Sequence, residues 1–85
     1  MFVKVSTTNV QQTTCIIAHP NLPVVVIGNV HGTVQLFSVY VPTEVKMLTE
    51  FCLTRDAITD VKYTQTGYIL VVCDEKNNIF VIKVR

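Results

Sequence analysis

The chain has 85 residues, of which 49% are hydrophobic and 15% are charged, so it has the composition of one small globular domain and not of a disordered chain. Seven basic and six acidic side chains leave a formal net charge of +1. Because these charges are balanced and scattered, they argue against an electrostatic binding surface for nucleic acid or anionic lipid.

Short clusters of β-branched and aromatic residues, separated by Pro, Gly, Asn and Asp, predict an all-β chain. In chain order, the predicted strands cover residues 2–6, 14–18, 24–29, 33–39, 45–53, 58–63, 68–73 and 79–84. Gly32, Gly67 and Asn77 fall in the predicted turns, where a positive φ costs these residue types little.

The sequence repeats its pattern at an offset of 45 residues. Residues 14–39 align without a gap on residues 59–84; ten aligned pairs are apolar in both copies, whereas only three are identical. Stacked structural repeats preserve buried positions in this way while the other positions diverge. The offset therefore predicts two equivalent units of about four strands each.

The pattern inside each unit predicts how it is buried. The second strand of each unit is apolar on both faces, which indicates that both faces are covered, and Ile27 and Val72 are predicted to be buried between units. In residues 45–53, apolar side chains on one face alternate with Lys46 and Glu50 on the other. This pattern predicts a more exposed outer strand. The end faces of the pair are predicted to expose four apolar side chains: Phe37, Val39, Ile79 and Val81.

A period near 45 with four strands per unit resembles the WD40 repeats of β-propellers, and VVIGNVHGTVQLFS (25–38) is similar to the family's LASGSxDGTIKLWD segment. The resemblance implies about two four-stranded antiparallel blades of a WD40-like β-propeller. Blade one is residues 13–54, blade two is residues 55–85 without its outermost strand, and residues 1–12 hold the outermost strand of a preceding blade.

The repeats diverge from the family at its signature positions. Phe37-Ser38 and Ile82-Lys83 stand where the family has Trp-Asp, and His31 and Lys76 replace the Asp of the turn. The family's hydrogen-bonded tetrad of His, Ser, Asp and Trp therefore cannot form in either unit. Degenerate repeats of this kind are similar to those of large WD scaffolds.

The sequence contains no convincing catalytic or metal-binding pattern. Cys15 and His19 have metal-ligand chemistry, but residues four apart on a strand lie about 13 Å from each other, and no second pair exists. Cys15, His19 and Asp60 lack the Gly-framed turn of a nucleophilic site. Residues 74–78 lack the alternating carboxylates of a calcium loop. We expect no catalytic residue, no bound metal and no cofactor, and hence no enzyme.

The cysteines predict the compartment. Their number is odd and no two form a CxxC motif, which indicates reduced thiols in a cytoplasmic protein. The resemblance to large WD scaffolds implies a cytoskeletal or ciliary scaffold as one variant. The N-terminus has no long apolar segment of the kind found in signal peptides. We expect no disulfide among the three cysteines, Cys15, Cys52 and Cys73.

The resemblance implies a protein–protein interaction scaffold that acts within a larger assembly. Its expected partners are other protein chains that complete or bind the propeller, or further copies of itself, and not membranes or nucleic acid. The alternative is a small self-contained β-barrel or sandwich that binds a nucleic acid or a small ligand. Loop and turn positions are the predicted partner-binding residues: His31, Tyr40, Glu44, Gln65, Lys76 and Asn77.

Overall fold

The computed structural model describes residues 2–10 and 12–84, and within these residues it contains seven β-strands and no helix. The predicted all-β class is confirmed. Residues 1 and 85, the first residue of the predicted preceding-blade segment and the last residue of predicted blade two, lie outside the described residues. The first sheet has the order β1-β2-β3-β4, the second has the order β5-β6-β7, and all pairs are antiparallel. The strands are β1 (Thr13–Ala18), β2 (Val24–Asn29), β3 (Thr33–Ser38), β4 (Lys46–Cys52), β5 (Ile58–Tyr63), β6 (Ile69–Asp74) and β7 (Ile79–Lys83).

The predicted strand at residues 2–6 is wrong. These residues form no strand and lie outside both sheets, and their side chains are exposed. The hydroxyl of Ser6 donates a hydrogen bond to the carbonyl oxygen of Pro42 at 2.6 Å. Strand propensity alone does not make a strand, because the backbone needs a neighbouring strand to pair with, and residues 2–6 have none.

The 45-residue repeat is present in the strand pairing. Ile16 lies opposite Ile27 in the first sheet, and Val61 lies opposite Val72 in the second. Every other β1–β2 pair also has its counterpart 45 residues later in β5–β6, including the irregularity that precedes Cys15 and Asp60. The β2–β3 and β6–β7 registers correspond in the same way. The two sheets are therefore equivalent over three strands.

The turns after β2 and β6 are also equivalent. Gly32 has a φ of 78° and Asn77, 45 residues later, has a φ of 67°. In the first turn, Oδ1 of Asn29 accepts hydrogen bonds from the backbone N–H groups two and four residues later. Oδ1 of Asp74 accepts the same two bonds in the second turn. Because Asn and Asp both have a side-chain oxygen that accepts these bonds, the two turns have the same geometry although Asn29 is neutral and Asp74 is a carboxylate.

The sheets pack with unlike faces in contact. We call the face of each sheet that carries Val26 or its equivalent Val71 the front, and the other face the back. The front of the first sheet packs on the back of the second. A Cβ added to Gly28 would lie 2.6 Å from Cγ2 of Ile58, so this glycine permits the close approach of β2 and β5. The buried side chains of this core are Val26, Val34, Leu36, Ile58, Val61, Leu70 and Val72.

Two burial predictions need correction. Ile27 and Val72 are both buried, but only Val72 lies in the core between the sheets, because Ile27 points to the back of the first sheet. Phe37, predicted to be exposed, is buried on that back face. Residues 8–10 border a cleft together with Phe37, so the N-terminal chain runs along the back of the first sheet.

The predictions for the middle and outer strands are confirmed in part. Every residue of β4 except Phe51 is exposed, as expected for an outer strand. In β2 the apolar residues are buried or half-buried on both faces. In β6 only the back face is fully buried, and Ile69, Val71 and Cys73 on its front are half-buried. The front of the second sheet therefore lacks a layer that the front of the first sheet possesses.

Candidate protein-docking surfaces

The structure divides the six predicted partner-binding residues between opposite ends of the sheets. The turn end comprises residues 30–32, 53–57 and 75–78, and the loop end comprises residues 19–23, 39–45 and 64–68. All six side chains are exposed, but they do not form one site. His31, Lys76 and Asn77 lie at the turn end, whereas Tyr40, Glu44 and Gln65 lie at the loop end.

Backbone hydrogen bonds tie both turns at the turn end to the connection between β4 and β5. The carbonyl oxygen of Gly32 accepts bonds from the N–H groups of Leu53 and Thr54, at 3.0 and 3.3 Å. The N–H of Glu75 donates to the carbonyl oxygen of Ala57 at 2.9 Å. The first turn is thus bonded to the start of this connection and the second turn to its end.

The charges at the turn end are partly engaged with each other. Lys76 lies 3.7 Å from Asp56, so this predicted partner-binding residue already has an ionic partner. Asp74 is almost completely buried, and the amide of Asn78 donates to its Oδ2 at 3.0 Å. Hydrogen bonds from the Asn78 side chain, and then from the backbone of the same turn, hold the pKa of Asp74 below its ordinary value of 3.8. Asp74 is therefore a structural carboxylate.

A cleft of about 340 Å³ opens between the sheets at the loop end. Its rim carries three large exposed apolar side chains, Leu22, Leu48 and Tyr68. Its inner wall belongs to the core faces of the two sheets, including Leu36 from the first and Tyr63 from the second. An apolar cleft with exposed apolar residues around it is typical of a binding surface.

The rings of His19 and Tyr63 lie together in the lining of this cleft. Nδ1 of His19 accepts bonds from the N–H groups of Asn21 and Leu22, so Nε2 donates to the carbonyl oxygen of Gly67 at 3.2 Å. The His19 ring packs edge-on against Tyr63 with centroids 4.7 Å apart. The hydroxyl of Tyr63 is buried and has no hydrogen-bond partner within residues 2–10 and 12–84. Burial raises the pKa of Tyr63 above its ordinary value of 10.0.

Sequence reasoning missed this cleft. It considered His19 only in the rejected metal and nucleophile patterns and did not relate it to Tyr63, because the two residues are 44 positions apart and no local motif joins them. The signal that relates them is the 45-residue offset, which makes the loops after β1 and β5 equivalent. In both loops the N–H of the first residue donates to the carbonyl of the residue that opens the next strand, His19 to Val24 and Thr64 to Ile69.

The front of the second sheet exposes two large apolar side chains. Ile79 and Val81 are 70% and 68% exposed, as the sequence predicts. Their equivalents in the first sheet, Val34 and Leu36, are 0% and 6% exposed because the second sheet covers them. The front of the second sheet is therefore exposed, whereas the equivalent front of the first sheet is covered by another sheet of the same chain.

Other candidate chemistry has no structural counterpart in the described residues. Three or more His, Cys, Asp or Glu side chains with metal-binding geometry do not come together there. The three cysteines are free thiols. Oδ1 of Asp60 accepts a bond from the N–H of Val61. Residues 2–10 and 12–84 also include no helix with the length and hydrophobicity to cross a bilayer.

Comparison with known proteins adds no identification, since no family model, no curated protein and no solved structure matches the chain.

Proposed function

We propose that the chain is a protein–protein interaction scaffold, built as consecutive blades of a WD40-like propeller that acts within a larger assembly. The equivalence of the two sheets in register, bulge and turn supports repetition of one structural unit. The solvent-exposed outer strand β4 and the buried inner strands fit the arrangement of strands in a propeller blade. On this proposal the function is binding and not catalysis.

One observation carries the proposal: the front of the second sheet is open where the equivalent front of the first sheet is buried. Covering Ile79 and Val81 to the extent of Val34 and Leu36 would contribute roughly 2–4 kcal/mol of hydrophobic stabilisation. That gain is available to any partner that presents an apolar sheet face of the right shape. The front of the second sheet is equivalent to the front of the first sheet, which already packs on another sheet. This equivalence favours docking of a further sheet there.

The packing of front on back gives the interaction a direction. An interface between two different faces is heterologous, so each added unit leaves a new front exposed. Such interfaces close into rings or continue as open arrays. The proposed partner is therefore a sheet with an apolar back, supplied by another chain or by another copy of this one.

Sedimentation velocity of the whole chain over a concentration series tests the proposal. We expect the chain to self-associate when no other partner is present, and Val81→Lys on the open front to shift it toward monomer. Leu22→Lys is the matched control, because Leu22 is also an exposed apolar residue, 58% against 68%, but lies at the loop end. Association of Val81→Lys equal to that of the unchanged chain would contradict the role of the front.

The cleft at the loop end favours a second candidate function, binding of a small uncharged apolar ligand. Its volume lies at the low end of the range for ligand sites, and its lining includes the Tyr63 hydroxyl, which has no hydrogen-bond partner within the described residues. Thermal-shift measurements with uncharged aromatic and aliphatic compounds test this candidate. Tyr63→Phe is the control, since it removes the hydroxyl and preserves the ring; equal shifts in both proteins would exclude recognition through that hydroxyl.

A further inference from the structure

Residues 2–6 and the outer edge of β7 are complementary features that the proposed scaffold leaves unexplained. Phe2, Val3 and Val5 are large apolar side chains exposed to solvent in a segment that belongs to no sheet. β7 is an edge strand, and its outer edge pairs with no strand in the described residues. An unpaired edge presents free N–H and C=O groups to which another strand can add.

The 45-residue offset relates these two features. The strand β3 is the equivalent of β7, and its outer edge pairs with β4. Moving 45 positions back from residues 47–51 of β4 gives residues 2–6. The segment thus holds the repeat position of a fourth strand, and β7 holds the position of a third strand with no fourth strand beside it in the described residues.

We infer that residues 2–6 of one copy of this chain add as a fourth strand to the outer edge of β7 in a second copy. The donor is a second copy because the N-terminal chain runs along the back of its own first sheet, the face turned away from the second sheet. This inference rests on the proposed function and names its partner and contact. It makes self-association directional, since each copy offers one segment and one edge.

The first sheet supplies the register of the added strand. Gln35 pairs with Glu50 and Leu36 pairs with Thr49 in the β3–β4 ladder. Shifting the β3 residues forward and the β4 residues back by 45 positions places Val5 opposite Phe80 and Lys4 opposite Val81.

The chemistry of the segment fits this register. Phe80 is half-buried and faces the first sheet, so Val5 would cover it on the core side. Lys4 and Ser6 would lie on the front, where a polar rim remains in water. The alternation of apolar and polar residues from Val3 to Ser6 suits a strand with one buried face.

Disulfide trapping between two variants of the whole chain tests the register. In a background with the three native cysteines replaced by alanine, one variant carries Val5→Cys and the other Phe80→Cys. Directly opposed residues have Cα atoms about 4.5–5.5 Å apart, within the range that a disulfide spans. We expect a cross-linked dimer only when the two variants are mixed. Lys4→Cys mixed with Phe80→Cys is the control, because those side chains would point to opposite faces.

A second variant tests the same contact without cross-linking. Val5→Pro removes a ladder donor, and Val5 is exposed outside any strand, so the fold of each copy should be unchanged. We expect self-association to weaken by about tenfold or more. Lys4→Ala keeps the backbone donor and should leave the association constant within about twofold.

The outcomes separate this inference from the proposed function. If Val81→Lys abolishes association but Val5 and Phe80 do not cross-link, the strand addition is wrong while docking on the front stands. A cross-link of Val5→Cys with Thr49→Cys on β4, in place of Phe80, would also overturn it. If the unchanged chain does not self-associate, docking by copies fails as a whole.

Discussion

Replacing Gly32 with alanine tests the close contact between the first turn and the connection that follows β4. Gly32 has a φ of 78°, and a Cβ there would lie 2.1 Å from the carbonyl oxygen of Thr54. The left-handed conformation costs alanine roughly 1–2 kcal/mol. Relieving the contact requires the Thr54 peptide to move, which breaks at least one of the two bonds to the Gly32 carbonyl, at about 1 kcal/mol each. We expect Gly32→Ala to lower the free energy of unfolding by roughly 3 kcal/mol.

That loss is large for a chain of this size, whose total stability is about 4–13 kcal/mol. The matched control is Asn77→Gly at the equivalent turn, where φ is 67° and glycine fits. We expect this variant to change stability by no more than about 0.5 kcal/mol. Urea unfolding followed by circular dichroism at one fixed low concentration measures both. A cost below about 1 kcal/mol for Gly32→Ala would refute the argument from close contact.

Three further predictions concern burial, acid stability and the thiols. Val72→Asp places an unpaired charge in the core between the sheets and should lower the free energy of unfolding by several kcal/mol, with loss of soluble protein. Ile27→Asp should have the same effect on the back face of the first sheet. An unchanged melting temperature in either variant would show that its position is not buried. The lowered pKa of Asp74 contributes stability above its unfolded value near 3.8, and that stability is lost as pH falls through the folded value. Asp74→Asn, which reproduces the side chain of Asn29 at the equivalent turn, should keep the turn and flatten the acid limb of a pH–stability curve; an unaltered acid limb would contradict this assignment. Native mass spectrometry under non-reducing conditions should show three reduced cysteines and no metal, and a mass two units low or a bound zinc ion would contradict the expectation for Cys15, Cys52 and Cys73.

The strands of both sheets could be predicted from the sequence because local pattern and tertiary environment agree there. The predicted strands at residues 24–29 and 58–63 coincide with β2 and β5, and the others from residue 14 onward match within one residue at each end. Gly32 and Asn77 are aligned by the offset alone, and both have positive φ. Where alternation, turn residues and repeat all indicate one structure, a single sequence suffices.

Features that depend on which faces meet could not be predicted in the same way. Ile27 and Val72 are equivalent in sequence, yet only one lies between the sheets, because the sheets pack front on back. Residues 2–6 have the propensity of a strand but lack a partner edge in their own copy. The cleft at the loop end brings together residues from several strands and loops, and no local spacing encodes that arrangement.

Sedimentation equilibrium of the purified, unmodified chain, combined with a thermal melt at each concentration, tests the central claim most directly. The account predicts concentration-dependent association or aggregation, and a melting temperature that rises with concentration wherever a soluble assembly forms. The reason is that, within the described residues, the front of the second sheet is uncovered and the outer edge of β7 is unpaired, so copies of the chain gain contacts by covering them. A monodisperse monomer at all concentrations, with one cooperative transition whose midpoint does not move, would contradict the scaffold account.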